Sequence, residues 1–198
     1  MAVRDIILGS ARVLVSPVGT TLPLSSVAEG GSWPSGWVEI GMTKKALKLM
    51  YNFSVKEIEV EQHLTPVARR KVKESLKFET EIAEFDMTKI KYAFDGTYTL
   101  VTAPGSGTEG VEEVTVGGNL CVASHQWGFE GEYQDEDCGA AYPLRVFIYK
   151  ATADGGGELE FSKSDSLGIP LKIDALVDTT KSKGNRLYKI QKVLPATS

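Results

Sequence analysis

The chain has 198 residues, 42% of them hydrophobic, enough for one domain with a substantial core, and a formal net charge of −4 with a sequence pI of about 5.3. That balance carries no global basic signature for nucleic-acid binding, and no apolar run approaches the roughly 18 residues of a membrane-spanning helix. The apolar stretch Ile6-Ile7-Leu8 is too short, and wrongly flanked, for a secretory signal, so the expectation is a cytosolic chain with Cys121 and Cys138 both reduced.

Taken in chain order, strand signals dominate and are separated by Gly, Pro, Ser and Asp clusters, the pattern of a mostly antiparallel β domain. Ala11 to Val15 reads as the first strand, closed by Ser16-Pro17-Val18-Gly19. Residues 22–36 hold two prolines, three glycines and four serines and read as an extended loop crossing a surface. Trp37 to Ile40 and Leu47 to Val55 read as short strands leading into a long hairpin over 55–82. The segment 86–94 predicts a short helix: Asp86 caps its start, Met87, Ile90, Ala93 and Phe94 share a face, and Gly96 follows its end. Further strands are expected at Tyr98 to Ala103, Val114 to Val116, Leu144 to Ala151, Glu158 to Lys163, Ile169 to Val177 and Leu187 to Val193. The region 105–142 shows no recognisable pattern and reads as a variable insertion or loop.

The hairpin is the most informative stretch. Glu57, Glu59 and Glu61 take odd positions on the outgoing strand while Ile58 and Val60 take even ones; Lys71, Lys73, Lys77, Glu79 and Glu81 are odd on the return, and Val72, Leu76, Phe78 and Ile82 even. Pro66, which lacks the amide proton of a ladder bond, marks the connection. A return strand over 71–82 spans roughly 40 Å, about twice a typical strand. Such length, charged along one face, points to an extended surface rather than a pocket; the alternative on pattern alone is an ordinary sandwich hairpin with a solvated outer face. Charge is also uneven along the chain: residues 109–137 hold eight acidic and no basic side chains, whereas 172–192 hold six basic and two acidic ones, so copies of the chain could attract one another; the alternative is that the acidic run 130–137 is a solvated loop.

Catalytic and metal signals are weak. Gly105-Ser106-Gly107-Thr108-Glu109-Gly110 fits G-x-G-x-x-G, but a strand rather than a pyrophosphate-binding helix is expected after it. Asp135-Glu136-Asp137-Cys138-Gly139 lacks the oxygen spacing of a calcium loop, and Cys121, His125 and Cys138 lack a fourth zinc ligand. With His63 and His125 as the two histidines, nothing favours a Ser-His-Asp site. No cofactor and no enzymatic activity are expected.

The segments 11–20, 36–43 and Glu57-Ile58-Glu59-Val60-Glu61-Gln62 with Thr65-Pro66-Val67, then 74–85 and the helix after Asp86, come in an order and spacing that resembles the major tail (tail tube) proteins of long, non-contractile-tailed bacteriophages. The resemblance implies a mainly β, sandwich or barrel-like tail tube fold with one short flanking helix and a long hairpin. It further implies hexameric rings stacked into a tube, hairpins joined edge to edge around a lumen for DNA, and a virion location after assembly in the host cytoplasm. On this basis Glu57, Glu59, Glu61, Lys71, Lys73, Lys77, Glu79 and Glu81 are expected to face the lumen, and Ile58, Val60, Leu76, Phe78 and Ile82 the subunit's own core. Pro66, Arg69 and Arg70 are expected at an inter-ring turn. The implied partners are other copies of the chain, the tape measure, tail terminator and tail-initiation proteins, and DNA in weak transient contact, with no membrane. Alternatives are the tube of a phage-derived contractile or secretion device, and a monomeric β-sandwich module with Trp33, Trp37 and Trp127 as a ligand platform.

Overall fold

The computed structural model describes residues 6–59, 61–62, 65–105, 107, 109–134, 141–155 and 168–194. The strands are β1 (Ile6–Pro17), β2 (Val38–Met42), β3 (Lys48–Ile58), β4 (Ala68–Ile82), β5 (Thr97–Thr102), β6 (Val111–Thr115), β7 (Ser124–Gln134), β8 (Ala141–Ala153), β9 (Ile169–Ala175) and β10 (Tyr188–Lys192), with helix α1 (Met87–Phe94) between β4 and β5. The strand expected at Glu158 to Lys163 lies outside the described residues. The main sheet runs β2-β1-β7-β8-β9-β4-β3 and is antiparallel throughout. β8 serves two partners on one edge: its first half pairs with β10 through Leu144 to Ile148, and its end pairs with β9 through Ala151 to Ala153.

The sheet curls until its ends meet. Thr43, just past β2, bridges to Ile82 at the end of β4, and Ala83 N donates to Met42 O at 3.0 Å. The barrel-like interior collects alternate residues from every wall: Val13 and Val15, Trp127 and Phe129, Ile148, Leu171 and Ile173, Leu76 and Phe78. Phe78 of β4 stacks on Phe129 of β7 with ring centroids 3.8 Å apart, joining opposite walls.

Helix α1 closes one mouth of this barrel. Asp86 Oδ1 accepts the Thr88 amide at 2.8 Å as N-cap, and Ile90 and Ala93 press onto Ile40, Ile82, Ile169 and Leu171. The left-handed residue ending the helix is Asp95, with φ 51°, rather than the expected Gly96. Among the described residues β5 and β6 pair only with each other and form a two-stranded arm rooted at α1.

The outer face of β1, β7 and β8 is covered by the loop over 22–36. Trp33 lies against Phe147 and so close over Gly128 that a Cβ there would meet its ring at 2.3 Å. Beside this apolar patch, Arg12 Nε and Arg145 Nε each donate to Glu130, both at 2.7 Å. The register places the three residues in one cross-strand row. Arg145 and Glu130 are 0% and 2% exposed. The remaining guanidinium protons go to loop carbonyls, those of Gly30 and Gly31 from Arg12 and those of Leu24, Val27 and Ala28 from Arg145, and Gly30 N donates to Glu130 Oε2 at 3.2 Å. Arg12 also reaches Glu39 on β2 at 3.1 Å.

The segment 124–134, within the region read as a loop, is thus a central strand. Its odd residues Trp127, Phe129 and Tyr133 are buried.

Removing one charge from the row leaves two buried guanidiniums around a neutral group. Glu130→Gln is therefore expected to destabilise the fold by about 3–5 kcal/mol in urea melts. Asp86→Ala should cost about 1 kcal/mol by the loss of the cap. Hydrogen bonds from Thr88 hold the Asp86 carboxyl below its ordinary pKa of 3.8, so the cap's contribution is present above that value and lost as pH falls through the lowered one; the wild-type advantage over the variant should vanish in acid melts.

Candidate functional site

The hairpin of β3 and β4 divides into a base and a tip. At the base, β4 lies between β3 and β9, and Leu76, Phe78, Thr80 and Ile82 are buried. In the tip, every described residue over 52–59 and 65–74 is exposed, a projection of about 24 Å at 3.4 Å per residue. β3 ends the sheet order, so among the described residues its outer edge carries no strand.

A β-bulge separates the two parts. Ser54 pairs with Lys73 but Val55 pairs with Lys71, which leaves Val72 as the extra residue of β4. Directly paired residues share a face, so the bulge inverts the alternation of β4 relative to its own base. On one side of the sheet lie Leu49 with Phe78, Tyr51 with Leu76 and Phe53 with Glu74, and past the bulge Val55 with Lys71 and Glu57 with Arg69. On the other lie Lys48 with Glu79, Met50 with Lys77, Asn52 with Ser75 and Ser54 with Lys73, followed by Lys56 with Arg70. Side-chain contacts agree: Lys71 Nζ donates to the Tyr51 hydroxyl at 3.0 Å, sits 4.6 Å from the Phe53 ring centroid and pairs with Glu74 at 3.0 Å, while Arg69 pairs with Glu57 at 2.7 Å. The bonds with Tyr51 and then Glu74 raise the Lys71 pKa above its ordinary value.

The eight acidic and basic residues expected on one face are therefore split. Lys73, Lys77 and Glu79 share the outward face of the β3–β4–β9 wall, joined there by Asp174 and Lys172 of β9. Lys77 reaches Asp154 at 2.9 Å and Asp174 at 3.2 Å, and these bonds, the first to Asp154, raise its pKa. Glu81 is withdrawn from the open surface: its side chain is held by Lys44 and Lys45, and Gly168 lies directly against it. Glu57 and Lys71 belong to the opposite face, and Glu59 and Glu61 are exposed beyond the end of β3.

Of the expected core face, Leu76, Phe78 and Ile82 are buried, but Ile58 is 45% exposed because the strand has already left the barrel there; Val60 lies outside the described residues. Arg69 and Arg70, expected in the turn, are strand residues of β4, opposite Glu57 and Lys56, because pairing resumes at Ala68. Pro66 is exposed in the connection, which Val67 N closes onto Ile58 O at 2.9 Å. The tip also exposes apolar side chains, Phe53 at 54% and Val72, read among the apolar even positions, at 60%.

The other candidates are placed apart. Trp127 is inside the barrel while Trp33 and Trp37 cover the opposite face of the same sheet, their rings 4.8 Å apart, so the three tryptophans make no shared platform. His125 is packed edge-on against Tyr92 at 5.1 Å, and burial lowers its pKa. Cys121 is exposed, while His63 and Cys138 lie outside the described residues. After the glycine-rich segment comes strand β6, not a helix N-terminus.

A family model described as phage tail tube protein matches residues 3–183. No curated protein matches the chain.

The division of the hairpin separates stability from surface chemistry. Phe78→Ala should cost about 3–5 kcal/mol in urea melts, whereas the pair Phe53→Ser and Ile58→Ser should stay within about 0.5 kcal/mol per site of the wild type.

Proposed function

The chain belongs to the phage tail tube protein family, and from that premise we propose that it assembles as stacked hexameric rings whose channel passes DNA during ejection. As a member of that family it is a structural, non-enzymatic component of the virion. The observation that carries the proposal is the hairpin tip, exposed on both faces and bordered by the open edge of β3. An isolated subunit leaves that edge as a template for further pairing, and joining such edges in a closed ring removes it. Exposed Phe53, Val55, Ile58 and Val72 supply apolar surface for a neighbour to cover. Glu57, Glu59, Glu61 and Lys71, with Pro66, Arg69 and Arg70, are assigned to this contact.

The channel wall is assigned to the outward face of β3, β4 and β9, with Lys73, Lys77, Glu79, Lys172 and Asp174. Its chemistry suits passage because the cation of Lys77 is already engaged by two carboxylates. An engaged cation gains little from phosphate, and Glu79 and Asp174 lie among Lys73 and Lys172 and repel it, so in this reading DNA contact stays weak and transient. The proposed protein partners are the tape measure, tail terminator and tail-initiation proteins, with assembly in the host cytoplasm.

Negative-stain electron microscopy of the concentrated protein, alongside its solution mass, tests the proposal. Rings or hollow tubes of six-fold symmetry are expected, and a persistent monomer even with tail-initiation proteins added overturns it. Glu79→Lys with Asp174→Lys should leave tubes intact. In a salt titration of DNA retained by those tubes, each new lysine that meets a phosphate should add about one unit to the log–log slope. Loss of tubes would instead place these residues in an assembly contact.

A further inference from the structure

Two surfaces at opposite ends of the molecule complement one another. The first is the β5–β6 arm. A two-stranded ribbon alone is marginally stable in water, and among the described residues this one is tied to the body near its root. There Ala123 N donates to Asp95 Oδ1 at 3.0 Å, and Gly96 lies under Val114 and Thr115 with no room for a Cβ. Leu100, Val101, Val111 and Val116 are exposed along the arm. Its charges are all acidic, Glu109, Glu112 and Glu113, and the sequence holds no Lys or Arg from Tyr92 to Leu144.

The second is a groove of about 560 Å³ between the hairpin and the β9–β10 connection, walled by Tyr51 and Tyr188, with Lys71 held there by Glu74 and the cations of Lys183 and Arg186 beside them. The two tyrosine rings lie 5.8 Å apart. Among the described residues no carboxylate pairs with Lys183, and Arg186 spends its Nε proton on the Lys181 carbonyl. The groove therefore offers aromatic walls and available cations, which fit a ribbon that is both apolar and acidic. Glu57 of the hairpin tip is a poorer occupant because Arg69 already holds it.

We propose that the β5–β6 arm of one copy docks in this groove of a second copy; the proposal rests on the self-assembly reading above. The arm roots through α1 at the Ile169 and Leu171 end of β9, while Val177 in the groove follows the other end. Those ends are separated by about 24 Å of strand. Glu113 and Glu112 lie two and three residues from the root pair Thr97–Thr115, within about 10 Å along the strand, so they do not span that separation to their own groove, and the contact is head to tail, a heterologous interface that propagates from copy to copy. Charge fixes its register and the apolar residues its affinity.

The test is zero-length carbodiimide coupling in a mixture of isotope-labelled and unlabelled wild-type protein, read by mass spectrometry, with microscopy of the same sample. An amide from Glu112 or Glu113 of one copy to Lys183 of another is expected. Tubes without that link overturn the docking alone, and so does a link from Lys183 to a different carboxylate. The link without tubes sustains the docking and overturns the tube reading, and the absence of both overturns both. In addition, Glu112→Lys with Glu113→Lys should cut assembly by roughly tenfold or more, as should Lys183→Glu with Arg186→Glu, and the four changes together should restore it. Wild-type assembly by either pair alone overturns the docking.

Discussion

The buried row Arg12–Glu130–Arg145 is the constraint on which the rest of the structure depends. Two guanidiniums flank one carboxylate across three neighbouring strands, and their other protons are taken by carbonyls of the loop over 22–36. Burying such charges is tolerable only when every donor is met, and here the loop backbone does much of that work. The same residues therefore pin the loop, which holds Trp33 over Gly128 and seals the outer face of β1, β7 and β8. With that wall covered on both sides and one barrel mouth closed by α1, the hairpin tip and the β5–β6 arm are, among the described residues, the extended elements left open to a neighbour.

That hairpin is one covalent element in two physical environments. Its base is stabilised by the barrel interior, where Phe78 meets Phe129 across the core. Its tip has no such support within the subunit and depends on cross-strand contacts, of Lys71 with Tyr51, Phe53 and Glu74 and of Arg69 with Glu57. Exposed ion pairs of this kind contribute little to stability, so the tip's conformation in a tube would be completed by its neighbours.

Legibility in the sequence followed locality. The helix after Asp86 was readable because its cap and apolar face lie within nine residues, and the burial of Leu76, Phe78 and Ile82 followed from alternation alone. β7 was not readable although Trp127, Phe129 and Tyr133 alternate, because the residues between them look like loop. Glu130 is buried only because Arg12, 118 positions away, and Arg145 receive it, and Gly128 is needed only because Trp33 lies on it. The resemblance was strongest in the hairpin, yet the face assignment within it failed twice: the base register, Leu49 with Phe78 and Tyr51 with Leu76, puts odd residues of β3 on the face of even residues of β4, which separates Glu57 from Lys77 and Glu79, and the bulge at Val72, which no pattern announces, moves Lys71 as well.

That single residue makes the tip sensitive to parity. Because Val72 is unpaired, β4 presents opposite alternation on its two sides, and the facing of Arg69 and Lys71, unlike that of Glu57 on β3, is set by the number of paired residues between bulge and turn. Insertions of two residues would lengthen the tip while preserving which side chains look each way; loss of one paired residue of β4 between bulge and turn would let Val72 pair with Val55 and exchange the facing of the β4 tip side chains, whereas loss of Val72 itself would keep every pair in place. In a chain built for self-contact, length variation at this position is thus a discrete switch of surface identity, and related chains that differ there by one residue would present incompatible edges to one another.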